Sequence, residues 1–159
     1  MKKILQICWK ALSSGGGWAP IFVFVLHIFL HRVVHIYLYF PSADVPMHFL
    51  GGIAIAYFVS RCFQLLPREA VVKSRVFLLE LLLIGSLTAS VAVCWEFAEF
   101  TFDQLFGYNV QISLANTMID LAMGLSGAIV FILIRSRQLH IGTTELQEIT
   151  FDWIRGQVA

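Results

Sequence analysis

The chain has 159 residues, 58% of them hydrophobic and only 13% charged, with a net charge of +1. A soluble domain carries about a quarter charged residues, so this composition leaves no room for a separate soluble domain and argues against nucleic acid as a partner. The apolar excess lies in long runs and the mean hydropathy is +0.80. The expected fold is therefore all-α: a polytopic membrane helix bundle, one domain over 1–159, with four transmembrane helices and amphipathic interfacial segments at both termini.

In chain order, residues 1–12 mix Lys2, Lys3 and Lys10 with Ile4, Leu5, Ile7 and Trp9. Lys10 interrupts the apolar run too early for a secretory signal, so an interfacial helix is expected. Ser13-Ser14-Gly15-Gly16-Gly17 ends it. The first span, about 20–39, carries His27, His31 and His35 at i, i+4, i+8, with Arg32 beside them. A short loop with Pro41 and Pro46 leads to the second span, about 47–66, which opens with His48 and Gly51-Gly52. After a basic loop over 67–75, the third span covers about 76–98. Its helix continues to near Leu105, lifting Glu96, Glu99 and Asp103 on one stripe toward the interface. A polar loop precedes the fourth span, about 117–134, with Asp120 one turn in. In the tail, Leu146, Ile149, Trp153 and Ile154 suggest a second interfacial helix. Gly52 with Ala56 and Gly124 with Ala128 have the spacing that lets helices approach closely in lipid. The three cysteines form no CxxC pair, which argues against a disulfide framework or a zinc site.

Loop charge sets the orientation. Ten of the eleven Lys and Arg residues fall on one side of this topology, Arg32 being the exception. The positive-inside rule makes that side cytoplasmic: a multi-pass protein of the bacterial inner membrane with both termini in the cytoplasm. Asp44, His48, Glu96, Glu99, Asp103 and Asp120 then gather at the opposite face, from separate helices. Charges inside a membrane cost roughly 2.5–3.5 kcal/mol each at a helix centre. Something must hold them: a divalent cation, Arg32, protonated histidines or shared protons.

E-x-x-E on a helix with a nearby histidine is an oxygen and nitrogen ligand set. His48, Glu96, Glu99 and Asp120 are accordingly the expected ligands of a divalent metal ion, with Asp44 or His35 as supporting group or general base. Structural roles compete with these. Asp44 would cap a helix that has Pro46 in its first turn. Asp120 would face a helix dipole capped by Asn116 or Thr117. Glu80 would pair with Arg61 or Arg75, and Asp103 would be solvated. No GxSxG, Walker loop, HExxH or nucleotide fingerprint is present.

Three stretches carry a resemblance: Asp44-Val45-Pro46-Met47-His48-Phe49-Leu50-Gly51-Gly52, Trp95-Glu96-Phe97-Ala98-Glu99, and Asn116-Thr117-Met118-Ile119-Asp120-Leu121 with Gly124. Over about residues 40–130 the chain resembles the YjdF-like bacterial inner-membrane proteins, and more loosely the VanZ-like group. The loop between Gly107 and Asn116 lacks the longer Gly- and Asp-bearing stretch of the YjdF-like pattern. The resemblance implies a small polytopic membrane protein and supports Asp44, His48, Glu96 and Asp120 as site residues, without supplying a reaction.

The expected function is an extracytoplasmic carboxylate/histidine site that binds a divalent metal and acts on a membrane lipid or a lipid-linked envelope substrate. As an enzyme it would be a metal-dependent membrane hydrolase. One alternative is a proton-coupled transporter or channel-like subunit using His27, His31 and His35. Another is a non-catalytic envelope assembly protein whose acids bind a partner or lipid headgroups.

Overall fold

The computed structural model describes residues 2–65, 76–107 and 110–158, with side chains described at 6, 9–65, 78–107 and 110–137. All regular structure among them is helical. Helix α1 is Lys2–Ser13, α2 is Trp18–Phe29, α3 is Ile36–Tyr39, α4 is Asp44–Gln64, α5 is Val76–Phe106 and α6 is Leu114–Val158. The basic loop over 67–75 lies outside the described residues.

α4 is the hub, packed on α2, α5 and α6. The chain crosses back and forth, so α4 and α6 run together and α2 and α5 run against them. Ser60, Glu80 and Arg135 meet at one end of the bundle, and His48, Glu96 and Asp120 at the other. The interior is built from small side chains. Gly52, Ala54, Ala56 and Ala128 are buried, Ala56 and Ala128 packed with Ile84, whereas most large apolar residues face outward. That inversion of a soluble core is what lipid permits: outward Leu, Ile and Phe cost nothing there, and close backbone packing holds the helices together.

The tightest approach is between α4 and α6. A Cβ on Gly52 would collide with the Gly124 carbonyl, and one on Gly127 with the Phe49 carbonyl. Glycine is required at both positions by contact rather than by conformation. A Cβ on Gly124 would lie 3.6 Å from Ala92 Cβ of α5, so three helices meet in one layer of small residues.

Among the described residues, three helices are long and apolar enough to cross a membrane: Pro41–Gln64, Leu78–Phe106 and Leu114–Arg137. The expected first span does not form one continuous helix. The apolar stretch Trp18–Val34 is shorter, about 25 Å at ~1.5 Å per residue against a hydrocarbon core of ~30 Å. Its last turn, Leu30–Val34, is π-helical, and His35 then adopts a left-handed backbone with φ 56° and ψ 31°. The chain folds back through α3 and a 3₁₀ turn at Pro41–Ala43 into α4. The tail also differs from expectation, because α6 runs unbroken to Val158 rather than ending before a second helix.

At the Arg135 end, Glu80 has two donors. Ser60 Oγ donates to its Oε1 at 2.7 Å and Arg135 Nε donates to the same oxygen at 3.1 Å. Gln64 Nε2 in turn donates to Ser60 Oγ at 3.0 Å. The partner is thus Arg135 of α6. Arg61 reaches Gln64 Oε1 and the Ser14 carbonyl instead, and Arg75 lies outside the described residues.

Candidate functional site

Each side chain at the other end is placed by a local feature of its helix. Asp44 is the first residue of α4, but the position before it is Ala43 and no side chain caps the helix. The capping role expected of Asp44 is not taken. Its carboxylate points inward, with Oδ2 3.5 Å from His48 Nε2 and Oδ1 3.6 Å from His27 Nδ1. His48 follows one turn later on the same face.

The start of α6 also differs from expectation. The helix begins at Leu114, and the Asn116 N–H donates to Ser113 Oγ at 3.1 Å, so Ser113 does the capping. Asp120 therefore lies in the second turn, past the strong end of the dipole. Asn116, freed from capping, donates through Nδ2 to Asp120 Oδ2. The other oxygen, Oδ1, faces His48 Nε2 at 3.9 Å.

From α5, Glu96 Oε1 stands 3.7 Å from His48 Nδ1. Glu99, one turn on, accepts a hydrogen bond from Trp95 Nε1 at 2.7 Å. His48 is thus shared by two triads. One is Asp44, His48 and Asp120; the other is His48, Glu96 and Glu99. Within each triad, one ligand atom per residue lies within 4.8 Å of the others.

The register of the cluster is set one turn deeper. His48 precedes Gly52 by four residues, Asp120 precedes Gly124 by four, and Glu96 follows Ala92 by four. The small-residue layer that locks the three backbones thus lies directly beneath the three side chains.

The cluster is buried and under-bonded. Glu96 is 6% exposed and Asp120 1%. Asp44 Oδ1, Glu96 Oε1 and Asp120 Oδ1 are buried with no hydrogen-bond partner. Separations of 3.5–3.9 Å are too long for hydrogen bonds. They are close to the spacing of neighbouring ligands around a cation with bonds of about 2.0–2.2 Å. The donor chemistry, one imidazole among carboxylates, suits a divalent cation such as zinc, manganese or iron. The residues present fit such an ion.

Of the residues expected in the site, Asp44, His48, Glu96, Glu99 and Asp120 come together, and His35 does not. His35 is exposed at the left-handed turn and makes no ion pair or hydrogen bond with the cluster among the described residues. Asp103 is half-buried rather than free in solvent. Its two carboxylate oxygens accept the backbone N–H groups of Val110 and Gln111 at 2.9 and 2.8 Å, clamping the loop between α5 and α6. His27 enters in place of His35. It faces Asp44, and Tyr37, folded back from α3, lies with its hydroxyl 3.0 Å from His27 Nδ1. His31 stacks on His27 with ring centroids 6.4 Å apart. The i, i+4 spacing of Asn116 and Asp120 was a readable sign of Asn116's role. Nothing local in the sequence announced Tyr37.

Next to the cluster lies a cavity of about 350 Å³ between α2, α4, α5 and α6. Its walls are apolar, with Phe24, Gly51 and Trp95 among them, and His27 and His48 are common to cavity and cluster. Thr88 also lines it, with a buried Oγ that has no partner. A Cβ on Gly51 would meet nothing within 4 Å.

Residues 13–140 match the family described as Predicted membrane protein (DUF2238). The chain belongs to this family. That range contains every residue of the cluster, the cavity wall and the Glu80–Arg135 network. An uncharacterized protein of Thermotoga maritima is 35% identical over 107 residues, which cover 63% of this chain and 53% of the relative. The chain thus spans about half the length of this curated relative. No solved structure matches it.

Proposed function

We propose that this membrane protein holds a divalent cation on His48 among Asp44, Glu96, Glu99 and Asp120, and uses it on the polar end of an amphiphile whose chain occupies the adjacent cavity. The observation that carries this reading is the set of buried carboxylate oxygens without partners around one imidazole. Buried polar groups are almost always bonded, and buried charges are paired or bind metal. The family match agrees with the resemblance to YjdF-like proteins and lends no support to the VanZ-like one.

A bound divalent cation supplies Lewis acidity, polarising a phosphate or carbonyl oxygen. The residues of this chain do the rest. The apolar wall holds one hydrocarbon chain and keeps water out. His27 sits on that wall within reach of Asp44 and Tyr37, so it can hold or pass a proton at its ring nitrogens. Lys and Arg crowd the opposite end of the topology, which supports an extracytoplasmic position for the cluster in a bacterial inner membrane with a four-span arrangement. The geometry favours this site over a proton path along the first helix, because the π-turn and His35 break the histidine ladder.

The test is metal content and bound lipid in protein purified in detergent. Protein stripped by a chelator should regain divalent cation on dialysis, and His48→Ala should not. Gly51→Leu should fill the cavity, abolish co-purifying lipid and keep the cation. Wild-type protein that regains no metal would end the reading.

A further inference from the structure

The two triads compete for one imidazole. A neutral imidazole has one nitrogen with a lone pair and one that carries a proton. It can therefore serve as ligand on one edge only, and must donate a hydrogen on the other. Which edge does which decides the ligand set.

The edges are built differently. At Nε2 stand two carboxylates, from α4 and α6; at Nδ1 stands Glu96 at 3.7 Å. Both acids at the Nε2 edge have a polar neighbour at their far oxygen, a hydrogen bond for Asp120 and a longer approach for Asp44. Asn116 holds Asp120 Oδ2, and His27 faces Asp44 Oδ1. Each thus presents one oxygen to the imidazole, as a monodentate ligand does. These two acids also sit on the pair of helices with the closest backbone approach. Asp44 shares a helix with His48, and Asp120 is fixed by the Gly52–Gly124 contact one turn away. Glu99, in the other triad, is already engaged by Trp95. A single carboxylate opposite a ring N–H is the arrangement that fixes the tautomer of metal-binding histidines.

Resting on the cation reading above, we infer that His48 binds the cation through Nε2 together with Asp44 and Asp120, and donates its Nδ1 proton to Glu96. Glu96 is then a positioning residue acting through His48, and Glu99 is held by Trp95. Relative to the expectation from sequence, Asp44 and Glu96 exchange parts. The unpartnered oxygens Glu96 Oε1 and Asp120 Oδ1, on opposite edges of the ring, are each accounted for.

The experiment titrates Zn²⁺ into metal-stripped full-length protein in detergent, with ¹⁵N-labelled histidine followed by NMR. Wild type should take up one equivalent, with His48 metallated at Nε2 and protonated at Nδ1. Asp44→Asn and Asp120→Asn should each weaken binding more than 100-fold. Glu96→Leu should keep one equivalent but weaken it about 10–100-fold. Glu96→Gln, whose amide oxygen still accepts the Nδ1 proton, should recover most of that loss, which a merely structural role would not produce. Metallation at Nδ1, two equivalents in wild type, or Glu96→Leu abolishing binding while Asp120→Asn keeps it would each overturn the assignment and leave the cation reading standing. No Zn²⁺ uptake by wild type would overturn both.

Discussion

Glu80 and Asp120 are both buried acids inside an apolar bundle, at opposite ends of it. Glu80 takes hydrogen bonds from Ser60 and Arg135 on one oxygen, at 2.7 and 3.1 Å. Asp120 Oδ1 has no hydrogen-bond partner, and His48 faces it at 3.9 Å. Burial and charge are the same at both ends; completion is not. The Glu80 network closes among its own side chains and so holds helices together. The His48 cluster is left open by the same accounting and so points to a ligand.

The comparison can be broken in order of expected effect. Arg135→Ala should leave Glu80 buried and unpaired, lowering stability by about 3–5 kcal/mol. Thermal unfolding in detergent measures it, and an unchanged Tm would remove Glu80 from the closed class. Zn²⁺ should act only at the open end. At a hundred times Kd it should stabilise wild type by ~2.7 kcal/mol and leave the Tm of His48→Ala where it was. Gly52→Ala forces a methyl onto the Gly124 carbonyl. It should cost about 1–3 kcal/mol and weaken Zn²⁺ binding, because the displaced layer carries the cluster. The smallest effect has the opposite sign. In metal-free protein, Asp120→Asn should raise stability by roughly 1 kcal/mol by removing one uncompensated buried charge, whereas Glu80→Gln should lower it. Equal signs for those two substitutions would erase the distinction between the ends.

Much of this was legible beforehand. The long apolar runs gave the helices, and the grouping of Asp44, His48, Glu96, Glu99 and Asp120 followed from placing their helices across a membrane. The pairing of Glu80 was not legible, because Arg135 lies 55 residues away and the register between α5 and α6 has no local signal. The places of His27 and His35 were not legible for a different reason. An i, i+4, i+8 ladder assumes an α-helical period throughout. The π-turn over Leu30–Val34 and the left-handed His35 occur where neither Gly nor Pro marks a change. Asp103 looked solvated because its partners are backbone N–H groups of the following loop, and backbone partners leave no trace in side-chain spacing.

The layer formed by Gly52, Ala92 and Gly124 has a consequence for how such a chain tolerates insertion and deletion. His48, Glu96 and Asp120 are each four residues from the small residue that fixes their helix. One residue added or lost within any of those three intervals would swing the side chain about 100° around its axis, off the cluster and toward lipid. The Asp103 clamp on Val110 and Gln111 fixes where the chain enters α6. Three intervals of four residues thus carry the register of the site.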